Sequence, residues 1–179
     1  MNLISQPIKN LDFRPLLLIE GPTEVKTIQQ FLRMLSIEQH VLMIPLGGDS
    51  MINGSREDEL RELKRIATNI VAVIDSERIK ENGDLPNNRA AFKESCKSVG
   101  IKCHVTDRPS IENYFPAEAI TKVYGKAHTA LGAFEPIKNR PHWPKTDNWR
   151  IAQEMKMEDL AKTDLGGFFD SLKQSVDAR

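Results

Sequence analysis

Acidic residues recur where apolar runs end. Glu20 follows directly on Pro15-Leu16-Leu17-Leu18-Ile19, and Glu24 comes four positions later. Asp75 and Glu77 close Ile70-Val71-Ala72-Val73-Ile74 in the same way, and Glu112 lies further on in Ile111-Glu112-Asn113-Tyr114. Carboxylates crowded at one edge of a fold repel each other at a cost of a few kcal/mol (~1–4 per pair near a surface) unless a cation offsets them. Oxygen-only donors select Mg²⁺, Mn²⁺ or Ca²⁺ over zinc, and Mg²⁺ commonly shares its remaining positions with water and substrate phosphates. A metal there also activates water, so the pattern points to phosphodiester chemistry.

The elements that must position these acids alternate along the chain. The run at 15–19 has the continuous apolar character of a strand buried on both faces, and it stops abruptly at Glu20-Gly21-Pro22. Val25, Ile28, Phe31, Leu32 and Leu35 then recur at helical spacing, which predicts a helix over 24–35 with Thr23 as its cap. HVLMIPL at 40–46 reads as a second buried strand ending on Gly47-Gly48-Asp49-Ser50, followed by a charged helix over about 56–68. The run at 70–74 is the third strand, a helix follows near 87–98, and IKCHV at 101–105 is the fourth strand. This β/α alternation predicts a mostly parallel sheet flanked by helices on both faces. In such sheets ligands bind outside the carboxyl ends of the strands, which is where Glu20 and Asp75 fall.

Beyond Ser110 the pattern changes to a loop and a helix, then a proline-rich loop at 135–149, then helices over about 149–157 and 164–175. We expect a catalytic core over 13–116 and a helical, irregular C-terminal extension over 117–179 that completes the same functional region. Lys138, Arg140, His142, Trp143, Lys145, Trp149 and Arg150 give the loop a basic and aromatic mixture suited to contacting a nucleic-acid backbone and stacking on bases, although both tryptophans could equally anchor the tail.

The bulk numbers restrict the class. At 179 residues the chain suits one domain with an appendage, and 40% hydrophobic with 28% charged residues is ordinary for a globular protein. Formal net charge is zero, from 25 basic and 25 acidic side chains, so any attraction for a polyanion must be local. No run reaches the roughly 18 apolar residues a membrane helix needs, and the opening MNLISQPIKN lacks the pattern of a secretory signal, which favours a cytoplasmic protein. Cys96 and Cys103 form neither a zinc-ligand pattern nor a disulfide scaffold and read as reduced structural thiols. A GxxxxGK[ST] phosphate loop does not occur in the sequence.

Taken together, Glu20-Gly21-Pro22-Thr23-Glu24 after a strand, Asp75-Ser76-Glu77 after another and Ile111-Glu112-Asn113-Tyr114 downstream resemble, in order, the motifs of the Toprim domain of overcoming-lysogenization-defect (OLD) family nucleases. The resemblance covers about 15–116 well and the tail more weakly. It implies a Toprim fold, two-metal cleavage of DNA with Mg²⁺ or Mn²⁺, and a phage-defence or DNA-repair setting. Glu20 and Glu24 would hold one metal, Asp75 and Glu77 would hold a second with support from Glu112, and the family has an aspartate where this chain has Glu77. A late lysine stabilising the charge that builds on phosphate would be Lys145, with Lys156 the next candidate. The resemblance also implies a partner, because OLD proteins join an ABC-type ATPase to the Toprim part; that ATPase would be a missing domain or a separate subunit. Oligomeric state stays open.

Two other readings stand beside this one. A primase or topoisomerase domain of the same fold would use a tyrosine nucleophile in the second case, and Tyr114 and Tyr124 are the only tyrosines. A non-enzymatic receiver-like or flavodoxin-like domain would bind one regulatory metal ion, but Glu20-Gly21-Pro22 fits its first strand end poorly.

Overall fold

All four apolar runs become strands. In the computed structural model, which describes residues 15–48, 52–136 and 143–178, these are β1 (Leu16–Ile19), β2 (Leu42–Pro45), β3 (Ile70–Ile74) and β4 (Lys102–Val105). Every pairing is parallel and the order is β2-β1-β3-β4. The chain moves outward from β1 in one direction to β2 and in the other to β3, so the switch point of the sheet lies between the carboxyl ends of β1 and β3.

The helices divide between the two faces of the sheet. On one face α1 (Pro22–Met34) is joined by α4 (Ala117–Tyr124), α5 (Asn148–Glu154), the short α6 (Met157–Leu160) and α7 (Asp164–Asp177); on the other lie α2 (Glu57–Ile66) and α3 (Asn87–Ser98). Side chains alternate accordingly along the central strands. Leu17, Ile19 and Val73 enter the core with Phe31, Ile151 and Phe169, whereas Leu16, Leu18, Ala72 and Ile74 pack with Leu60, Phe92 and Cys96. The unbroken apolar character of β1 and β3 is the consequence of covering both faces.

The α/β architecture read from the sequence is the one found, with local corrections. β2 is an edge strand: Leu42 and Pro45 are exposed, and proline is tolerated there because an edge leaves one set of N–H positions without a ladder partner. Helix α1 starts two residues earlier than expected, with Gly21 at the cap and Pro22 in the first position; the Thr23 hydroxyl donates to Glu24 instead of capping. The single helix expected over 149–157 is α5, which stops at Glu154, followed by the separate turn of α6. Residues of the C-terminal segment, among them Trp143, Ile151, Leu165 and Phe169, share one hydrophobic cluster with β1 and α1, and Phe31 meets Phe169 edge-on at 5.4 Å between ring centres. That segment is therefore built into the sheet's cover. Among the described residues no helix is long and apolar enough to cross a membrane.

The joint between α6 and α7 depends on a missing side chain. A Cβ on Gly166 would lie 2.0 Å from the carbonyl oxygen of Leu160, whereas one on Gly167 would meet nothing within 4 Å. Gly166→Ala should therefore lower the melting temperature, at a cost of ~1–3 kcal/mol or more for forced overpacking. Gly167→Ala should be neutral or stabilising by up to ~1 kcal/mol, because alanine is the better helix former. Calorimetric melting of both variants checks the pair; equal effects would contradict the packing.

Candidate metal centre at the sheet switch point

Strand alternation also sorts the acids. Continued past Ile19, the pattern puts Glu20 on the α3 face; continued past Ile74, it puts Asp75 on the face covered by α1 and α5. One oxygen of Glu20 accepts the backbone N–H of Asp75 at 3.2 Å, lacing the two strand ends together. The turn after β2 closes over this junction: Gly48 N–H donates to the Glu20 carbonyl at 2.7 Å, with φ at Gly47 and Gly48 of 101° and 88°. Only glycine adopts such angles without strain. A Cβ on Gly21 would stand 2.9 Å from a Glu24 oxygen and 3.6 Å from the Cα of Gly48, so the three glycines form one tight lip.

On the α3 face the partner of Glu20 is Arg89, whose side chain is fully buried. Its Nη2 lies 2.8 Å from Glu20 Oε1 and 2.9 Å from Glu77 Oε1. Glu77 reaches it because its backbone takes a left-handed φ of 54°, which breaks the alternation that would have carried its side chain to the side of Asp75. Glu77 thus stands exposed beside Arg89 and does not share a group with Asp75.

On the other face Asp75 is the centre. Its Oδ1 accepts the backbone N–H of Ile111 at 3.1 Å, and that N–H is aimed by a turn at Ile111–Tyr114 which Ser110 and Asn113 close by side-chain hydrogen bonds of 2.9 and 3.2 Å. Each residue of this short motif has a distinct task. The Asn113 amide ties down the carbonyls of Gly132 and Glu135, and the Tyr114 hydroxyl donates to Asp164 at 2.7 Å. Glu112 is buried; its Oε1 accepts from Asn148 at 2.9 Å and lies 3.4 Å from the ammonium of Lys145. Asn148 is in turn fixed by the indole N–H of Trp143 at 2.7 Å.

Burial pushes the Asp75 carboxyl well above its ordinary range, and the charges of Glu112, Glu20 and Glu24 add to the rise while Lys145 opposes it. Burial also raises Glu20; Arg89 and the Asp75 N–H pull it back without cancelling the rise. Lys145 is raised as well, by its neighbours and against burial. Burial alone would lower it, but Glu112, Asp75 and Glu24 together hold it above the usual lysine value, so it stays charged. Four acids and one lysine therefore act electrostatically on one another.

The donors suit a divalent cation in two respects. Glu24 Oε2 and Glu112 Oε2 are buried with no hydrogen-bond partner among the described residues, which is costly for a carboxylate oxygen and is what a cation relieves. Glu20, Glu24 and Asp75 also line a small cavity of 20 Å³, room for one water-sized occupant. Among the described residues, however, no three acidic, histidine or cysteine side chains stand close enough to make a ready-made cage. Mg²⁺ does not require one, because it is commonly held by one or two carboxylates with water and phosphate completing its shell.

Lys145 faces these acids, whereas Lys156 caps α6, where its backbone N–H donates to Asp159. Of the loop proposed to contact nucleic acid, Lys138, Arg140 and His142 lie outside the described residues. Trp143 is buried and serves Asn148, which removes it from any base-stacking surface. Trp149 is half-buried, with the Lys26 ammonium 5.8 Å from its ring centre, and Arg150 is exposed.

Sequence reading missed Arg89 and Asn148. A signal for the arginine was present: it sits in the first turn of α3, where the helix dipole disfavours a cation unless an acid meets it. Arg89→Met should strand Glu20 as an uncompensated buried charge and cost ~3–5 kcal/mol. Adding Glu20→Gln to the same chain should recover most of that loss in denaturant unfolding, and no recovery would contradict the pairing.

The raised Asp75 and Glu20 values also set a pH dependence. A folded chain that holds protons more tightly than the unfolded one loses stability as pH rises from the unfolded carboxyl value, about 4, through the raised folded values. In EDTA, Asp75→Asn should therefore raise the melting temperature at about pH 8 by roughly 2–4 °C, the shift that ~1 kcal/mol gives in a domain of this size. The gain should fade toward about pH 4, where wild-type Asp75 is protonated as well. A gain independent of pH would show that the buried charge is not its source.

In comparisons with protein-family models, curated proteins and solved structures, nothing matches this chain.

Proposed function

We propose that this chain is a metal-dependent endonuclease domain that hydrolyses phosphodiester bonds in DNA with Mg²⁺ or Mn²⁺. The observation that carries the reading is the convergence on Asp75 of Glu20, Glu24, Glu112 and Lys145, drawn from the ends of two strands, the first turn of α1, the Ile111–Tyr114 turn and the segment before α5. Such a set, at the switch point of a parallel sheet, suits a substrate that is itself anionic.

Roles follow from position. Glu20, Glu24, Asp75 and Glu112 would supply the oxygen ligands, with the oxygens of Glu24 and Glu112 that have no hydrogen-bond partner among the described residues the readiest. Bound there, Mg²⁺ or Mn²⁺ would lower the pKa of a coordinated water and offset charge on the phosphate. Arg89 holds Glu20 in place from the opposite face, leaving Glu20 Oε2 toward Asp75. Lys145, kept protonated by its neighbours, provides a fixed positive charge for a phosphoryl oxygen in the transition state. Glu77, turned toward Arg89, supports the site through that guanidinium.

The resemblance to OLD nucleases supports the same assignment and pairs it with an ABC-type ATPase in the same polypeptide or a separate subunit. The topoisomerase reading has less support, because both candidate tyrosine hydroxyls donate to carboxylates, Tyr114 to Asp164 at 2.7 Å and Tyr124 to Asp147 at 2.9 Å. Burial and the hydrogen bond to Asp164 push the Tyr114 hydroxyl far up, and burial with Asp147 pushes Tyr124 up to about 12.

Supercoiled plasmid incubated with Mn²⁺ tests the proposal. Wild-type protein should nick it and EDTA should stop the reaction, while Asp75→Asn and Glu20→Gln should lose cleavage and keep their fold by circular dichroism. Lys145→Ala should cut on the order of 10²–10³-fold more slowly with DNA affinity nearly retained, as for loss of a transition-state charge partner. Intact plasmid with wild-type protein, or normal nicking by Asp75→Asn, would overturn the assignment.

A further inference from the structure

A larger cleft opens beside the carboxylates. It has a volume of 530 Å³, within the roughly 300–1,000 Å³ usual for pockets that hold small molecules, and Arg78, Arg108, Lys162 and Phe134 are among its walls. Thr106 borders the small cavity at Asp75, and the next two residues, Asp107 and Arg108, line the cleft, so the two spaces adjoin at the carboxyl end of β4. The Ser76 hydroxyl, directly after Asp75, donates to the carbonyl of Arg108 at 2.8 Å and fixes their separation.

The two arginines are held differently from Arg89. Arg78 donates to the carbonyls of Gly83 and Thr106 at 3.1 and 2.9 Å, and Arg108 donates to the carbonyl of Asn113 at 2.6 Å while lying over the Tyr114 ring at 4.8 Å. Carbonyl acceptors orient a guanidinium without cancelling its charge, and each guanidinium has N–H groups beyond those bonds. Of the acids in the same cleft, Asp164 is turned to His104, Tyr114 and the N–H of Asp107, and Glu81 and Asp107, like Lys162, are exposed to screening solvent, which leaves Arg78 and Arg108 as the half-buried cations of the lining. Phe134, half-buried in the wall, gives an aromatic face in a space the size of one nucleotide.

We infer that this cleft is a subsite for one unpaired nucleotide of a DNA strand, next to the bond that is cut, with Phe134 stacking on the base and Arg78, Arg108 and Lys162 drawing its phosphates. Its position beside the bond that is cut rests on the nuclease reading, and the subsite adds a substrate preference: single-stranded or flapped DNA over continuous duplex, because a paired base cannot enter such a space without leaving its stack.

Fluorescence anisotropy of the full chain with a labelled oligo-dT strand in EDTA, and with a labelled duplex, tests it. Wild-type protein should prefer the single strand. Phe134→Ala should weaken that binding by about 5- to 150-fold, the loss usual for removing one stacking aromatic, with duplex binding unchanged. Lys162→Ala should reduce the magnitude of the log-log salt slope by about 0.7. Absence of single-strand binding, a preference for duplex, or unchanged affinity in Phe134→Ala would overturn the subsite. Displacement by free dTMP as effective as by unlabelled strand would also overturn it, in favour of a free-nucleotide pocket. Asp75→Asn run in parallel separates the two proposals, since it should bind the single strand normally and fail to cut. If wild-type protein leaves DNA intact, the nuclease reading fails, and if Asp75→Asn cuts like wild type, the placement of the metal at Asp75 fails; in either case the binding result still judges the cleft.

Discussion

Like charge confined at the carboxyl edge of the sheet is the constraint around which this structure is organised. Burial raises Asp75 well above the ordinary carboxyl range, and the charges of Glu112, Glu20 and Glu24 add to that rise. The fold answers with two cations at different depths. Arg89 is sealed under the α3 face and neutralises Glu20 and Glu77, while Lys145 stands half in solvent near Glu112. The first neutralisation is structural and permanent. The second leaves Asp75 and Glu24 in excess, and that excess is the property the proposed chemistry uses.

Strand alternation explains why the acids divide as they do. Glu20 and Asp75 both terminate central strands, yet the pleat turns them to opposite faces, so one meets a buried guanidinium and the other meets the group around Lys145. The C-terminal segment belongs to this arrangement. It carries Trp143, Asn148 and Lys145 across the face of α1, and the hydrogen-bond line from Trp143 through Asn148 to Glu112 joins hydrophobic packing to the placement of a charge.

The sheet was legible in the sequence because both central strands are buried on two faces and end in an acid, a contrast that no helix or loop pattern imitates. The edge position of β2 was not, since Val41, Met43 and Ile44 look as apolar as a central strand and only strand order exposes Leu42 and Pro45. Of the candidate acids, Glu20, Glu24, Asp75 and Glu112 come together electrostatically, as their positions after strands and in the Ile111–Tyr114 turn suggested. Glu77 was misplaced because one left-handed backbone angle reverses a side chain, and Arg89 was missed because its partner lies 69 positions away. Neither is a local property that periodicity can carry.

The central claim is that the group around Asp75 holds a divalent cation. Titration of the full chain with Mn²⁺, read by electron paramagnetic resonance of the free ion, measures this without substrate or cleavage. Saturable binding should appear in the wild-type chain, strengthen as pH rises because a carboxyl with a raised pKa must lose its proton first, and largely vanish in Asp75→Asn. Binding that is absent, or equal in the wild-type and Asp75→Asn chains, would contradict it.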